Sequence, residues 1–292
     1  MKVKYTVGEQ IFHAFVVLVT ILLSLAVIIP LMSIVFASFS DPFEVMKHSG
    51  IYWHPIKFSL YSYQMVFQDK SIITGYLNTI FVVVVGTSIN LVLTIISAYV
   101  LSRKGPMFVK FFTLMIVFTM YFQGGTIPTY IIVDKLGLVG SRWALILPSA
   151  VNTFNLVVLR TAMAAVPESL PESAMIDGAG HATILTYIMV PVTKASIAVI
   201  TLYYAVSHWN SWFPAMIYLR KKSMYPLQLI LRTILVQDDT STMSSGSMEA
   251  LALSSDSVKY ATIVVATLPI LLIYPLLQKY FVKGVMVGAV KG

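Results

Sequence analysis

The sequence predicts an all-α integral membrane protein with six transmembrane helices, and three observations carry that prediction. Of its 292 residues 58% are hydrophobic and 11% charged, against roughly 25% charged in a soluble domain. Mean hydropathy is +0.83, which excludes a soluble enzyme with one buried core and excludes disorder more firmly. The apolar residues also gather in six long stretches, and a helix needs about 20 such residues to cross roughly 30 Å of hydrocarbon, where only closed helices or barrels satisfy the backbone. No cysteine is present, so disulfides, thiolate metal sites and cysteine nucleophiles are ruled out.

The first span runs from about Ile11 to Ser38, the second from Tyr76 to Leu101 and the third from Phe108 to Ile132. None of these contains Asp, Glu or Arg, and Lys110 stands at an edge. The fourth lies within Arg142–Ala164 and is the shortest, the fifth runs from Ala195 to Ile217, and the sixth from Val258 to Gln278. Tyr, Trp and Lys near their ends are interface anchors. Lys2 and Lys4 ahead of the first span resemble the start of a signal peptide, but its apolar run far exceeds the roughly 7–15 residues of such a segment and includes Pro30, so it is expected to be retained. The chain, 1–292, is read as one transmembrane domain.

An even number of spans puts both termini on one side, together with Arg103, Lys104, the segment Ala165–Lys194 and the tail carrying Lys279, Lys283 and Lys291. That side is assigned to the cytoplasm. Basic residues divide at about ten to each side, so the assignment rests on Lys2, Lys4, Arg103 and Lys104, which flank the early spans; long loops cross largely regardless of charge. The net charge of +8 suits loops lying against anionic lipid, and there is too little basic sequence for a nucleic-acid face. Two outside loops are long. One, Phe39–Gly75, carries Trp53 and His54. The other, Pro214–Ser257, carries Arg220, Lys221, Lys222 and Arg232, an apolar Leu227–Val236 that reads as a short surface helix, and a Ser/Thr-rich stretch, Thr240–Ser247.

Between the fourth and fifth spans lies a helical hairpin written in start and stop signals. Ser169 with Glu172 fits a capping box and Pro171 suits a first turn, so a helix is expected over Leu170–Asp177. Gly178 or Gly180 can take the left-handed conformation that ends it, and a second helix is expected from Ala182 toward Pro191. With the small residues Ser173 and Ala174 beside the apolar Met175 and Ile176, the first helix suits docking into a groove of another protein. Taken alone, it equally suits a hairpin lying on the membrane surface.

Glu172-Ser173-Ala174, three residues, Gly178, nine residues, then Ile188-Met189-Val190-Pro191 resembles the EAA motif of permease subunits in binding-protein-dependent ABC importers, with every gap intact over 20 residues. Ser173 replaces the usual Ala and Val190 the usual Leu. Ala98-Tyr99-Val100-Leu101-Ser102-Arg103, Trp209-Asn210 and the tail from Gln278 extend the likeness over nearly the whole chain. The sequence is similar to the smaller permease of carbohydrate importers of the maltose-uptake class, most of all its oligosaccharide branch.

The resemblance implies a type I ABC importer permease fold in a prokaryotic cell membrane, with the hairpin's first helix as a coupling helix. Glu172, Ser173, Ala174, Asp177 and Gly178 would dock on an ATP-hydrolysing subunit. It further implies a second permease, two ATP-binding subunits and an extracellular solute-binding protein as partners, with ATP and Mg bound by the ATPase subunits. This chain has no G-x-x-x-x-G-K-[ST] phosphate loop, no metal-ligand spacing among its His residues and no nucleophile elbow, so no cofactor or catalytic site is expected in it.

Polar side chains inside spans mark either a translocation path or interhelical bonding. Asn152, Asn155, Tyr203, Tyr204 and Asn210 are the path candidates for a carbohydrate, with His208 and Trp209 beside them. Arg220, Lys221 and Lys222 would contact the binding protein or draw an acidic sugar. The competing class, an ion-coupled secondary transporter or channel, would require intramembrane acids, and no acid lies well inside any span.

Overall fold

The computed structural model describes residues 6–103, 105, 107–241 and 256–289, with backbone alone at 237–241 and 273–289. Lys2, Lys4, Lys104, Lys291 and most of Thr240–Ser247 lie outside the described residues, as do the side chains of Lys279 and Lys283. The described residues are helical apart from loops and one isolated antiparallel bridge, Ser40 to Phe58.

The chain opens with α1 (Val7–Ser38), passes through α2 (Pro42–Lys47) and α3 (Tyr61–Gln68), and enters α4 (Lys70–Ser102). α1 and α4 are long and apolar enough to cross a membrane unbroken. Three bent helix pairs would raise the number among the described residues to five if each is one span.

The expected third span is one such pair. α5 (Val109–Tyr121) and α6 (Thr126–Lys135) meet at 116°, because Gly124-Gly125 interrupts the apolar run and Gly125 sits at φ +85°, left-handed backbone that a helix cannot continue through. The expected fourth span is likewise not one helix. Two 3₁₀ turns, Arg142–Leu145 and Leu147–Ser149, precede α7 (Thr153–Ala164) at 47°; Pro148 cannot donate to an α-helical ladder, and Asn152 restarts the helix by accepting from Asn155 N–H.

α8 (Ser169–Ile176) and α9 (His181–Ile184) follow, then a π-helical turn, Leu185–Met189, and α10 (Val190–Val192). The second arm of the hairpin bends by 85° into α11 (Lys194–Trp209). The expected fifth span breaks at Asn210-Ser211 before α12 (Trp212–Tyr218), and a 3₁₀ turn, Lys222–Met224, leads to α13 (Leu227–Ser241). α14 (Asp256–Ala289) contains the whole of the expected sixth span.

The chain divides into two compact units. One comprises Met1–Asp69 with Thr233–Thr267, the other Lys70–Arg232 with Leu268–Gly292. In the first unit α1 exposes its side chains along most of its length and buries them only near its end, at Ala37 and Ser38. Such an apolar face requires lipid or another protein around it. At that end a serine knot closes the loop: Ser257 Oγ lies 2.7 Å from Ser62 Oγ and donates toward the Ala37 and Ser40 carbonyls. Ser40 Oγ in turn accepts from Ile56 N–H at 2.9 Å. Tyr52 packs with Ala37 and Val45 and donates its hydroxyl to the Val45 carbonyl.

The second unit is organised on one face of α4. Gly75, Asn78, Thr79, Val82, Gly86, Asn90, Thr94 and Ala98 are buried at three- and four-residue spacing, the repeat that keeps side chains on one helix face. Thr79 Oγ1 accepts from Leu227 N–H at 2.9 Å, while Asn78 donates to the Ser223 and Tyr225 carbonyls. The start of α13 is therefore held against α4, with Leu227, Leu229, Ile230 and Leu231 buried. The helix expected at Leu227–Val236 is present, but its first turns are buried and not at the surface: the Thr79 hydroxyl holds the Leu227 N–H, and the Asn78 amide holds the carbonyls of the turn just before it.

Candidate functional site

Two places gather the predicted residues. The first is the hairpin. α8 covers Ser169–Ile176, one residue earlier than expected, and the expected capping box is absent: Glu168 is the N-cap and no side chain caps the helix. Its N-cap has helical backbone angles, so Ser169 is already inside the first turn and its hydroxyl is not placed to accept from the third residue.

The helix ends in a Schellman turn, with Ala179 N–H donating to the Ala174 carbonyl at 2.8 Å and Gly178 N–H to the Met175 carbonyl at 3.0 Å. Gly178 takes φ +84°, so of the two candidate glycines it is the one whose left-handed backbone stops the helix. Ala174 and Ala179 pack against a buried cluster that includes Ala98, Tyr99, Leu156 and Ile184. Glu172, Ser173, Asp177 and Gly178 face outward, as do Met175 and Ile176, the latter 86% exposed. Beside α8 a groove of about 820 Å³ is lined by Glu168, Pro171, Glu172, Met175, Tyr99 and His181 among others.

The second place is a polar pocket of about 340 Å³. Four of the five path candidates line it: Asn152, Asn155, Tyr203 and Tyr204, joined by Asn90, Ser149, Phe154, Ser207 and His208. Tyr204 Oη accepts from Asn152 N–H at 2.9 Å and lies 2.7 Å from Thr94 Oγ1. Asn90 donates to the Ser149 and Ala150 carbonyls at 2.6 and 3.1 Å, which satisfies the broken backbone ahead of α7. Its Oδ1 is then left as the acceptor facing His208 Nε2 at 2.9 Å, so that nitrogen carries the proton. The His208 ring fits only because Gly86 has no side chain; a Cβ there would lie 2.6 Å from Nε2. Phe154 and Tyr203 pair at 6.2 Å between ring centroids along the same wall.

Asn210, the fifth candidate, is outside this pocket. It ends α11 as its C-cap and is exposed. Trp209 is buried away from the pocket's lining, edge-on to Tyr76 at 6.3 Å. Sequence reasoning missed Asn90 and Thr94, although their signal was present: polar residues four apart, following Gly86 by the same step, inside an otherwise apolar span. Arg220, Lys221 and Lys222 are exposed at the 3₁₀ turn after α12 and line neither of these two places. Among the described residues no three His, Asp or Glu side chains gather as a metal site.

No protein-family model matches the chain. It is 40% identical over 277 residues, 93% of its length and 95% of the relative's, to the polygalacturonan/rhamnogalacturonan transport system permease protein YtcP of Bacillus subtilis. The chain belongs to the carbohydrate ABC transporter permeases. This permease is also 37% identical to protein LplC of the same organism, over 91% of its own length and 90% of that chain. Among solved structures it matches, with a TM-score of 0.87 and 30% identity over 95% of its length and 99% of that chain, a bacterial ABC transporter involved in the import of the acidic polysaccharide alginate. Its relatives are membrane transport permeases and not enzymes, and their names place sugar transport as the family's work.

Proposed function

We propose that this permease forms half of the translocation path of an ATP-driven importer for an oligosaccharide, with a second permease forming the other half. The observation that carries the reading is the polar pocket. Asn90 stands twelve residues from Ser102, the end of α4, or about 18 Å at 1.5 Å per residue. In a helix that crosses a bilayer this is mid-depth, where lipid penalises polar groups and they face a path or a partner. Amides, hydroxyls and a paired Phe154 and Tyr203 are the groups that hydrogen-bond and stack on sugars.

An acidic sugar is favoured by two relatives, whose names specify polygalacturonan or rhamnogalacturonan and alginate. Arg220, Lys221 and Lys222 would raise the local concentration of such an anion or meet a solute-binding protein. The chain crosses a prokaryotic cell membrane six times in one type I permease domain with both termini cytoplasmic. α8 is the coupling helix, docking through Glu172, Ser173, Ala174, Asp177 and Gly178 on one of two ATP-binding subunits. Those subunits hold ATP and Mg; this chain supplies no covalent chemistry.

The test is affinity purification of the tagged chain from its host in mild detergent. Because Ala174 packs inward, the probe belongs at exposed Ser173. Wild type is expected to bring down an ATP-hydrolysing subunit and a second permease, and Ser173→Arg to lose the first while keeping the second. A well-folded wild type without any ATPase after cross-linking would overturn the importer reading and leave secondary transport to be tested.

A further inference from the structure

The C-terminal end of α4 is tied to both arms of the hairpin. Tyr99, 6% exposed, places its hydroxyl 3.0 Å from His181 Nδ1, at the start of the second arm. The Arg103 guanidinium lies 5.0 Å from the centroid of the Tyr99 ring, and its Nη2 donates to Met189 Sδ, at the far end of that arm. Ala174 and Ala179, on either side of the Schellman turn, pack on the cluster that contains Ala98 and Tyr99. Arg160 Nε donates to the Leu101 carbonyl at 3.0 Å, which fastens the same end of α4 to α7.

The same helix carries Asn90, which lines the polar pocket, and Thr94, which is bonded to the pocket's Tyr204. Thr94 and Asn90 stand five and nine residues before Tyr99 on α4, about 8 and 14 Å along its axis. No proline or break interrupts the helix between them, so a displacement at Tyr99 reaches Thr94 and Asn90 with little loss.

We propose that Tyr99 and His181 are positioning residues, the link through which movement of the docked hairpin is passed to α4 and so to the polar pocket. This rests on the reading of α8 as the ATPase-docking helix. Of the ties described, the Tyr99 hydroxyl bond is the one that joins α4 directly to the residue that follows the Gly178–Gly180 turn. Packing alone would let the hairpin slide on the apolar cluster, whereas a directed hydrogen bond fixes its register.

The experiment uses the full importer reconstituted with its second permease, ATPase subunits and binding protein. Three quantities are read: co-purified ATPase, basal ATP hydrolysis, and sugar transported per ATP. Tyr99→Phe removes only the hydroxyl and keeps the ring beneath Arg103. It is expected to keep the ATPase subunit and basal hydrolysis, and to lose about fivefold in sugar per ATP. His181→Ala should lose the same, and the double variant no more than either single one, because one shared bond is removed.

Unchanged sugar per ATP in Tyr99→Phe, losses that multiply in the double variant, or loss of the ATPase subunit from Tyr99→Phe would each overturn the link. Should Tyr99→Phe not accumulate, His181 carries the test: His181→Gln, whose amide can both donate and accept, must transport more per ATP than His181→Ala, and equal loss in the two would overturn it. Failure of the docking reading is distinguishable, since it appears as a wild-type complex without ATPase.

Discussion

A methyl group added at Gly86 would meet His208 Nε2 at 2.6 Å, and the imidazole cannot retreat without giving up its bond to Asn90. Gly86→Ala should therefore destabilise the permease by about 1–3 kcal/mol through overpacking, read as a lowered midpoint of thermal unfolding in detergent. Gly178 is constrained differently. Beyond its chain neighbours no atom lies within 4 Å of its missing Cβ, yet its φ is +84°, a conformation that costs an L-residue about 1–2 kcal/mol. Gly178→Ala is expected to leave global unfolding nearly unchanged and to speed amide exchange at Ala179, whose N–H closes the Schellman turn. Equal effects on both readouts for the two variants would contradict this division.

At the scale of elements, the broken fourth span depends on a side chain from another helix. Asn90→Leu would strip partners from the exposed Ser149 and half-buried Ala150 carbonyls, which water can reach, and from buried His208, at about 1–3 kcal/mol for the imidazole left buried and unpaired. Asn90→Asp should not restore stability, because a carboxylate cannot donate to two carbonyls; thermal unfolding of both variants checks this. In the long loop after α1, Glu44 is hydrogen-bonded to Lys57 and lies near Lys47, which together hold its carboxyl below the usual range. A depressed folded pKa stabilises above the ordinary carboxylate pKa and loses that effect as pH falls through the depressed value. Protection of the α2 amides, taken relative to intrinsic exchange at each pH, should accordingly fall on acidification, and Glu44→Gln should lower it at neutral pH and flatten its acid dependence. A wild-type profile flat from neutral to acid pH would contradict the pairing.

For the whole molecule, the proposed orientation is open to a direct test because the chain contains no cysteine, so a single introduced thiol is the only one. Trp53 is 66% exposed in the first long loop and Ile176 is 86% exposed on α8. In intact cells a membrane-impermeant maleimide should label Trp53→Cys. Ile176→Cys should label only after the membrane is opened. The reverse pattern would invert the topology, and labelling of both from outside would place the two loops on one side.

Apolar runs and the scarcity of charge were enough to announce a helical membrane protein, because in hydrocarbon each segment must satisfy its own backbone and so declares itself locally. The hairpin was legible for a related reason: Pro171, Gly178 and Gly180 act through backbone angles that need no distant partner. Run length alone did not reveal that the third, fourth and fifth spans are broken, since hydropathy is blind to a kink; Gly124-Gly125, Pro148 and Asn210-Ser211 are the marks of the three breaks. Asn152, Asn155, Tyr203 and Tyr204 were recognisable as polar residues out of place, but that they share one pocket, that Asn210 does not, that Asn90 joins them and that Thr94 braces Tyr204 from behind were settled only when α4, α7 and α11 packed. Side chains brought together across more than a hundred residues, as Asn90 and His208 are, leave no spacing in the sequence to be read. Their partnership exists only through the helices that carry them.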